Sequence, residues 1–372
     1  MIKINFCGDF KCDDVSGLEL DPSITKILKS GSINVVNFEA PVKAGAIMPI
    51  SKDGPNIFQA DDSPLFLRSA NFNLFSLANN HIMDYGEDGY TNTVEHFKEG
   101  EFLGAGTWEE AYRPVIKEID GIKIGFLALC HHEFGILQEE IYEPNAIGAA
   151  WLLHPCVDEI IINTKKECDF FFVFIHGGYE NEYYPLPEFR SLYKHFIRIG
   201  ADGVVACHPH TPQPWEIYHG KPIFYSLGNF CFDSKNKNNP YWNWSILLSI
   251  TIQENSDMVI EKHYCYYDNN RKMISMVDND FLFNQHINEI NQILRAPDTY
   301  LDKINTICKK HENRYYNALL NFCFCNISKK RLLKLFLLCL LNRVSGSKTN
   351  VLNALRCETH RWLLSHSIEE RL

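Results

Sequence analysis

The sequence predicts an α/β protein whose strands end in a shared polar rim, followed by a helical C-terminal region. Three observations carry this. Apolar runs rich in β-branched and aromatic residues alternate with helical segments from Lys3 to Ala206, as in a parallel sheet covered on both faces. Several of those runs stop abruptly in carboxylate, amide or imidazole residues, as at Asn79-Asn80-His81. From about Phe281 the texture turns to helix rich in Asn, Lys and Leu.

Lys3 to Cys7 alternates apolar and polar residues and reads as the first strand, ended by Gly8-Asp9-Phe10. Ile24 to Ser30 is a short helix closed by Gly31, and Ser32 to Phe38 is a buried strand running into Glu39-Ala40-Pro41. The loop from Lys43 to Asn56 is rich in Gly, Pro and Lys, and its Lys52 is either a solvated lysine or an anion contact. Ser63 to Ala70 is helical, and the strand from Phe72 to Leu77 leads into Asn79-Asn80-His81, with Asp84 and Gly86 beyond. Gly89 to Glu99 is the next helix, after which Phe102 to Gly106 turns the chain back. Asp120-Gly121 lies between two alternating runs, Arg113 to Ile119 and Ile122 to Cys130, and so marks a hairpin. The second of those strands exits into His131-His132-Glu133.

Val157 to Lys166 is a helix, and Cys168 to Ile175 is a strand that exits into His176-Gly177-Gly178-Tyr179-Glu180. Pro187 to Ile199 is a helix ended by Gly200. Gly203 to Ala206 is one more buried strand, exiting into Cys207-His208-Pro209-His210. Lys221 to Tyr225 pairs nearby and opens into Ser226-Leu227-Gly228-Asn229-Phe230. Trp244 to Gln253 and Val259 to Tyr267 finish the sheet system as antiparallel strands.

Composition bounds the function. A chain of 372 residues, 45% hydrophobic and 22% charged, is an ordinary soluble globular protein with room for one large domain, residues 1–267, and a helical region, 281–372. A formal net charge of −10 and the lack of a basic arm in the first 300 residues exclude a general nucleic-acid binder. The thirteen cysteines are odd in number, and most lie in apolar segments, which fits reduced core thiols in the cytoplasm. The first strand begins at once, so no signal peptide is expected. Leu332 to Leu341 is the most apolar run, and it falls short of the about 20 apolar residues of a bilayer span. It packs against neighbouring helices or, with Lys329, Lys330, Arg331 and Arg343 around it, lies on a membrane surface.

Five strand ends carry metal-ligand residue types: Asp9, Glu39, Asn80 with His81, His176, and His208 with His210. Each alone has a plain explanation as a turn or capping residue. Strands of one parallel sheet share a C-terminal rim, however, so together these groups converge on one pocket. Carboxylates and neutral imidazoles bind Mn, Fe or Zn, and an Asn oxygen completes such a shell. A carboxylate bridging two ions is the framework of a two-metal hydrolase. His208-Pro209-His210 offers one imidazole per ion, while Cys207 points into the core.

The residues Gly8-Asp9, Asn37-Phe38-Glu39, Leu77-Ala78-Asn79-Asn80-His81, Gly104-Ala105-Gly106, His176-x-Gly-x-Glu180, His208-Pro209-His210 with Gln213, and Tyr225-Ser226-Leu227-Gly228-Asn229-Phe230 resemble, in this order, the CapA family. Those are bacterial capsule- or poly-γ-glutamate-synthesis proteins, similar in fold to the calcineurin-like metallophosphoesterases. The resemblance spans residues 1–267. It implies a four-layer α/β/β/α sandwich and a metal site of two ions or one. Asp9 and His210 would hold the first ion, Glu39 would bridge, and Asn80, His176 and His208 would hold the second. His81 would be the acid that protonates the leaving group, with Asp84 and Glu180 orienting histidines. Lys11, Lys52 and Asn229 would contact substrate. The sequence departs from the pattern at Lys11, where a histidine ligand is expected, and at Gly177, where a tryptophan is usual.

The expected function is a metal-dependent hydrolase, a phosphoesterase, in capsule or surface-polymer biosynthesis. Its substrate would be an anionic small molecule or polymer, its partners capsule-synthesis proteins. The alternative is a non-catalytic polymer- or partner-binding accessory with a structural or vestigial metal site.

Overall fold

The computed structural model describes residues 1–324, apart from 44, 46, 139, 141, 142, 235 and 237, and residues 356–369. Two sheets lie face to face. In the first, Ile2–Lys11 is central, pairing in parallel with Ile33–Phe38 and antiparallel with Trp244–Ile252. Leu74–Ser76 and Phe102–Leu103 extend it in parallel on one side, and Met258–Asp268, Met273–Met276 and Glu19–Leu20 extend it on the other. In the second sheet Ile122–Cys130, Phe170–His176, Gly203–Cys207 and Lys221–Phe224 run in parallel, edged by Val115–Ile119 and Trp215–Tyr218.

The alternation of Phe170–His176 builds the layers. Phe170, Phe172 and Phe174 face the first sheet, where Phe172 and Phe174 lie 5.7 and 6.0 Å from the Phe6 ring. Phe171, Val173 and Ile175 point the other way, onto the helices Cys156–Glu167 and Pro187–Ile199. The second of these buries Phe189, Tyr193, Phe196 and Ile197, the i, i+4, i+7, i+8 stripe of one helix face. Across the molecule Ile24, Leu28, Leu67 and Tyr90 bring the helices Pro22–Ser30, Ser63–Ser69 and Gly86–Val94 onto the outer face of the first sheet. The result is a helix/sheet/sheet/helix sandwich. Strands covered on both faces need no alternation of polarity, which is why these read as continuous apolar runs.

The first helix begins two residues before the Ile24 start read from the sequence, and the Asp120-Gly121 hairpin forms as expected. Asp21 caps Pro22–Ser30 by accepting from the Ser23 N–H at 2.7 Å. Asp120 and Gly121 both take positive φ, 51° and 79°, as the tight Val115–Ile119/Ile122–Cys130 hairpin requires. Short pairings such as Glu19–Leu20, Ile136–Leu137 and Gly148–Ala150 go beyond the sequence reading, and so do three longer strands: Trp215–Tyr218, Asn229–Phe232 and Met273–Met276. Each has four residues, too few to show a period, and tertiary pairing alone makes it a strand.

The C-terminal helices Phe281–Arg295, Pro297–Phe324 and Glu358–Glu369 follow the sheets. Phe283, Ile287, Leu294, Ile304 and Leu363 join the apolar cluster under the second sheet. The Leu332 to Leu341 run lies outside the described residues. Among the described residues no helix is long and apolar enough to cross a membrane.

Gly8 is a point of close approach. The Asp9 N–H donates to Gly228 O at 3.0 Å, and a Cβ on Gly8 would meet that oxygen at 1.9 Å. Gly8→Ala is therefore expected to lower unfolding free energy by about 1–3 kcal/mol, read by urea denaturation. Glu216 tests a second contact, between the outer helix and the second sheet. Burial raises its carboxyl, but hydrogen bonds from Arg190 and Tyr225 and the Arg190 charge outweigh that and hold it at about 2. Its stabilisation is present above the ordinary carboxyl range and is lost as pH falls through about 2, so Glu216→Gln should flatten the acid limb of stability against pH.

Candidate functional site

Every ligand-type residue stands at a strand end, but the rim belongs to two sheets and not to one. Asp9, Glu39 and Asn80 come from Ile2–Lys11, Ile33–Phe38 and Leu74–Ser76 in the first sheet. His176, His208 and His210 come from Phe170–His176 and Gly203–Cys207 in the second. The chain between Lys221–Phe224 and Asn229–Phe232 stitches the rims together. There Leu227 N donates to Ala206 O at 2.8 Å, and Gly228 O accepts from Asp9.

The His-Pro-His turn holds two non-glycine residues at positive φ, His208 at 97° and His210 at 55°. Such conformations cost about 1–3 kcal/mol each and persist only where neighbours enforce them. Here the His208 N–H donates to Asp9 Oδ2 at 3.1 Å, and Pro209 O accepts from the Asn181 N–H at 2.8 Å. Asn79, left without a role by the sequence, shapes the neighbouring turn: it donates to Phe38 O at 3.0 Å and accepts from the His81 N–H at 3.2 Å.

Asp9, Glu39, Asn80, His176, His208 and His210 are brought together. His176 Nε2 lies 3.0 Å from both Asn80 Oδ1 and His208 Nδ1, and 3.9 Å from Glu39 Oε1. Asp9, Glu39 and His210 offer ligand atoms that all lie within 4.8 Å of one another. Asn229 fixes the tautomer of His210. Its Nδ2 donates to Trp242 O at 2.8 Å, which turns Oδ1 toward His210 Nδ1 at 2.9 Å, so Nδ1 carries the proton. Nε2 then presents a lone pair to Glu39 Oε1 at 3.7 Å.

Glu39 is fully buried, and neither of its oxygens has a hydrogen-bond partner. Burial and the neighbouring Asp9 push its carboxyl well above the usual range. For Asp9 burial acts the same way, but the His176 hydrogen bond and the charges of His176 and His210 outweigh it, holding that carboxyl at about 2. Burial also holds His176 and His208 below the ordinary imidazole value. A buried carboxyl that ionises only at a cost, facing the lone pair of His210 Nε2, fits a divalent cation that takes the place of its proton.

His81, Asp84 and Lys52 form a second group. His81 Nδ1 lies 2.7 Å from Asp84 Oδ2, and Lys52 Nζ binds the other oxygen of Asp84 and stands 3.0 Å from His81 Nδ1. The Ile57 N–H also donates to Asp84, at 2.8 Å. The Lys52 side chain is only 2% exposed, which removes the solvated reading. Burial, then the Lys52 charge, lower the His81 pKa. His81, Lys52, Asn80, His208 and His210 all line a cavity of about 510 Å³.

Two expected substrate contacts are committed to protein partners instead. Lys11 is bound to Asp13 and Asp233 at 2.6 and 2.7 Å and is absent from the cavity lining, so its charge is spent at the strand edge. Asn229 is occupied in orienting His210, with both ends of its amide committed. Glu180 sits exposed on the cavity wall, with an oxygen within 4.8 Å of His208 and His210 ligand atoms. The structure also adds residues. Asn37 Nδ2 lies 2.9 Å from Asp9 Oδ1 and 3.1 Å from His176 Nδ1. Glu133 Oε2 accepts from Asn80 Nδ2 at 2.6 Å, which aims Asn80 Oδ1 at His176. The exit His131-His132-Glu133 has the same signature as the other five strand ends, and that is the signal that finds Glu133.

A helix/sheet/sheet/helix sandwich thus carries carboxylate, amide and imidazole donors at one joined rim. The family model described as bacterial capsule synthesis protein PGA_cap matches residues 4–234, and the chain belongs to that family. It is similar to the capsule biosynthesis protein CapA of Bacillus anthracis, with 29% identity over 220 residues covering 56% of this chain and 53% of that one. It is also similar to the PGA biosynthesis protein CapA of Bacillus subtilis (strain 168), with 29% identity over 215 residues and 56% of each chain covered. The chain thus matches about half the length of these curated relatives. Among solved structures, 5'-nucleotidase from Candida albicans SC5314 aligns with 72% of this chain and 53% of its own at 9% identity, with a TM-score of 0.42.

The Glu39 carboxylate costs the metal-free fold stability. In EDTA at neutral pH, Glu39→Gln is expected to raise unfolding free energy by about 1–3 kcal/mol, because a carboxyl whose ionisation burial penalises is replaced by an amide that does not ionise. A carboxyl whose pKa is raised by folding is penalised only above its ordinary value. The gain should therefore vanish as pH falls below the usual carboxyl range, which urea melts at several pH values would read.

Proposed function

We propose that this chain is a hydrolase dependent on divalent Mn, Fe or Zn, a phosphoesterase acting on an anionic small molecule or polymer in capsule or surface-polymer synthesis. The observation that carries this reading is Glu39, buried with both oxygens unpartnered and facing the lone pair of His210 Nε2. Asp9, Glu39 and His210 would hold one ion, and Glu39, Asn80, His176 and His208 a second. Bound ions there supply activation of water and neutralisation of phosphoryl charge. The family description and the names of the relatives motivate the setting in capsule synthesis, and capsule-synthesis proteins are the proposed partners.

The chain's own residues do the rest. Asp84 takes the Nδ1–H of His81 and leaves its Nε2 to exchange a proton with substrate. The lowered His81 pKa means the empty site holds a neutral ring; a phosphoryl anion beside it favours the imidazolium, so substrate brings the acid into its working form. Lys52 is neutralised by Asp84 and keeps that carboxylate in place.

A second reading, a non-catalytic accessory with a structural or vestigial metal site, is favoured by one observation. The position of Lys11, where the resemblance expects a histidine ligand, is tied up in ion pairs with Asp13 and Asp233.

The chain reconstituted with Mn2+ should hydrolyse bis-p-nitrophenyl phosphate or p-nitrophenyl phosphate. His81→Ala should lower the rate by about 10²–10⁴ with bound metal unchanged. Full activity in His81→Ala or in the metal-free chain would remove the hydrolase reading. A chain that loads metal and hydrolyses neither ester would favour the accessory.

A further inference from the structure

The strand exit at His131-His132-Glu133 holds chemistry that the proposed centre does not use. His131 is buried, its Nδ1 lies 3.1 Å from Thr359 Oγ1, and its Nε2 has no hydrogen-bond partner. Leaving such a nitrogen unpaired costs about 1–3 kcal/mol. The ring lies against that of His208, centroids 4.2 Å apart. His131, Glu133 and His208 each offer a ligand atom within 4.8 Å of the other two. Glu133 commits one oxygen only: Oε2 accepts from Asn80, whereas Oε1 stands 4.0 Å from His360 Nε2.

We propose that His131, Glu133 and His208 form an accessory site for one divalent transition-metal ion, beside the Asp9/Glu39 centre and sharing His208 with it. This rests on the metal-centre reading above and adds two ligands outside its set. Two imidazoles and a carboxylate suit a borderline ion such as Zn2+ and disfavour Mg2+ and Ca2+, which take oxygen shells. A neutral imidazole has one lone pair to give, so His208 serves one ion at a time. Zinc entering the accessory site takes His208 from the second ion, which Glu39, Asn80 and His176 would still hold, so one more equivalent binds while the altered centre is inhibited.

The C-terminal helix Glu358–Glu369 builds the site from outside. Thr359 holds the His131 ring, and Glu358 accepts from the His132 N–H at 2.9 Å and from Trp151 Nε1 at 3.3 Å. Glu358 and Thr359 lie beyond the residues matched by the family model.

The test is equilibrium dialysis of the full chain against Zn2+, with bound metal counted by mass spectrometry. Wild type should hold one equivalent more than His131→Ala and than the near-isosteric Glu133→Gln, each checked for folding by circular dichroism. Glu39→Ala should keep that equivalent while losing metal from the centre. Equal stoichiometry in wild type, His131→Ala and Glu133→Gln overturns the accessory site and leaves the centre standing. Loss of every equivalent in Glu39→Ala also overturns the accessory site. Zinc bound to none of the four proteins overturns the centre as well.

Discussion

A carboxylate with no partner, Glu39, sits where the rims of two sheets meet, and the site is arranged around it. Burying an ionised carboxyl in a dry site costs several kcal/mol unless an opposite charge compensates. No lysine or arginine takes that role among the described residues. The nearest ring nitrogens belong to His176 and His210, and Asn229 holds the second of these with its lone pair turned inward. The arrangement is unfavourable as it stands and favourable around a divalent cation. Binding free energy for such an ion is correspondingly coupled to folding free energy.

The two lysines near the rim show how a positive charge can be present without compensating Glu39. Lys52 is buried against Asp84, and Lys11 is claimed by Asp13 and Asp233. Each ammonium is therefore balanced locally, and the acidic core of the site keeps its demand for a cation. The cavity above the rim extends this pattern outward. Lys310 and His311, on Pro297–Phe324, both bind Glu182, and all three line it. The helical C-terminal part thus supplies one wall of the pocket, with His360 on Glu358–Glu369.

Much of the fold was legible because its signals are local. Pro187–Ile199 has proline in its first turn, an apolar stripe and Gly200 at its end, so propensity, periodicity and capping agree. The Asp120-Gly121 hairpin needs only positive φ at two adjacent residues. Asn229–Phe232 was illegible for the opposite reason. Its four residues become a strand only by pairing with the upper half of Ile2–Lys11, far away in sequence. Lys52 misleads in the same way: its loop is polar and rich in Gly and Pro, yet Asp84 draws the side chain to 2% exposure.

The sequence by itself determined which residue types end the strands, because the change from apolar run to Asp, Glu, Asn or His is a property of neighbours along the chain. Asp9, Glu39, Asn80, His176, His208 and His210 were named on that ground. Only the tertiary structure decided that they come from two sheets joined through Gly228, since sheet membership depends on pairing between distant segments. It also decided the partners: Asn229 bound to His210, Lys11 withdrawn to Asp13 and Asp233, and Thr359 bound to His131 across 228 residues. Hydrogen bonds of that span leave no periodicity in a sequence, and they form only once the layers have packed.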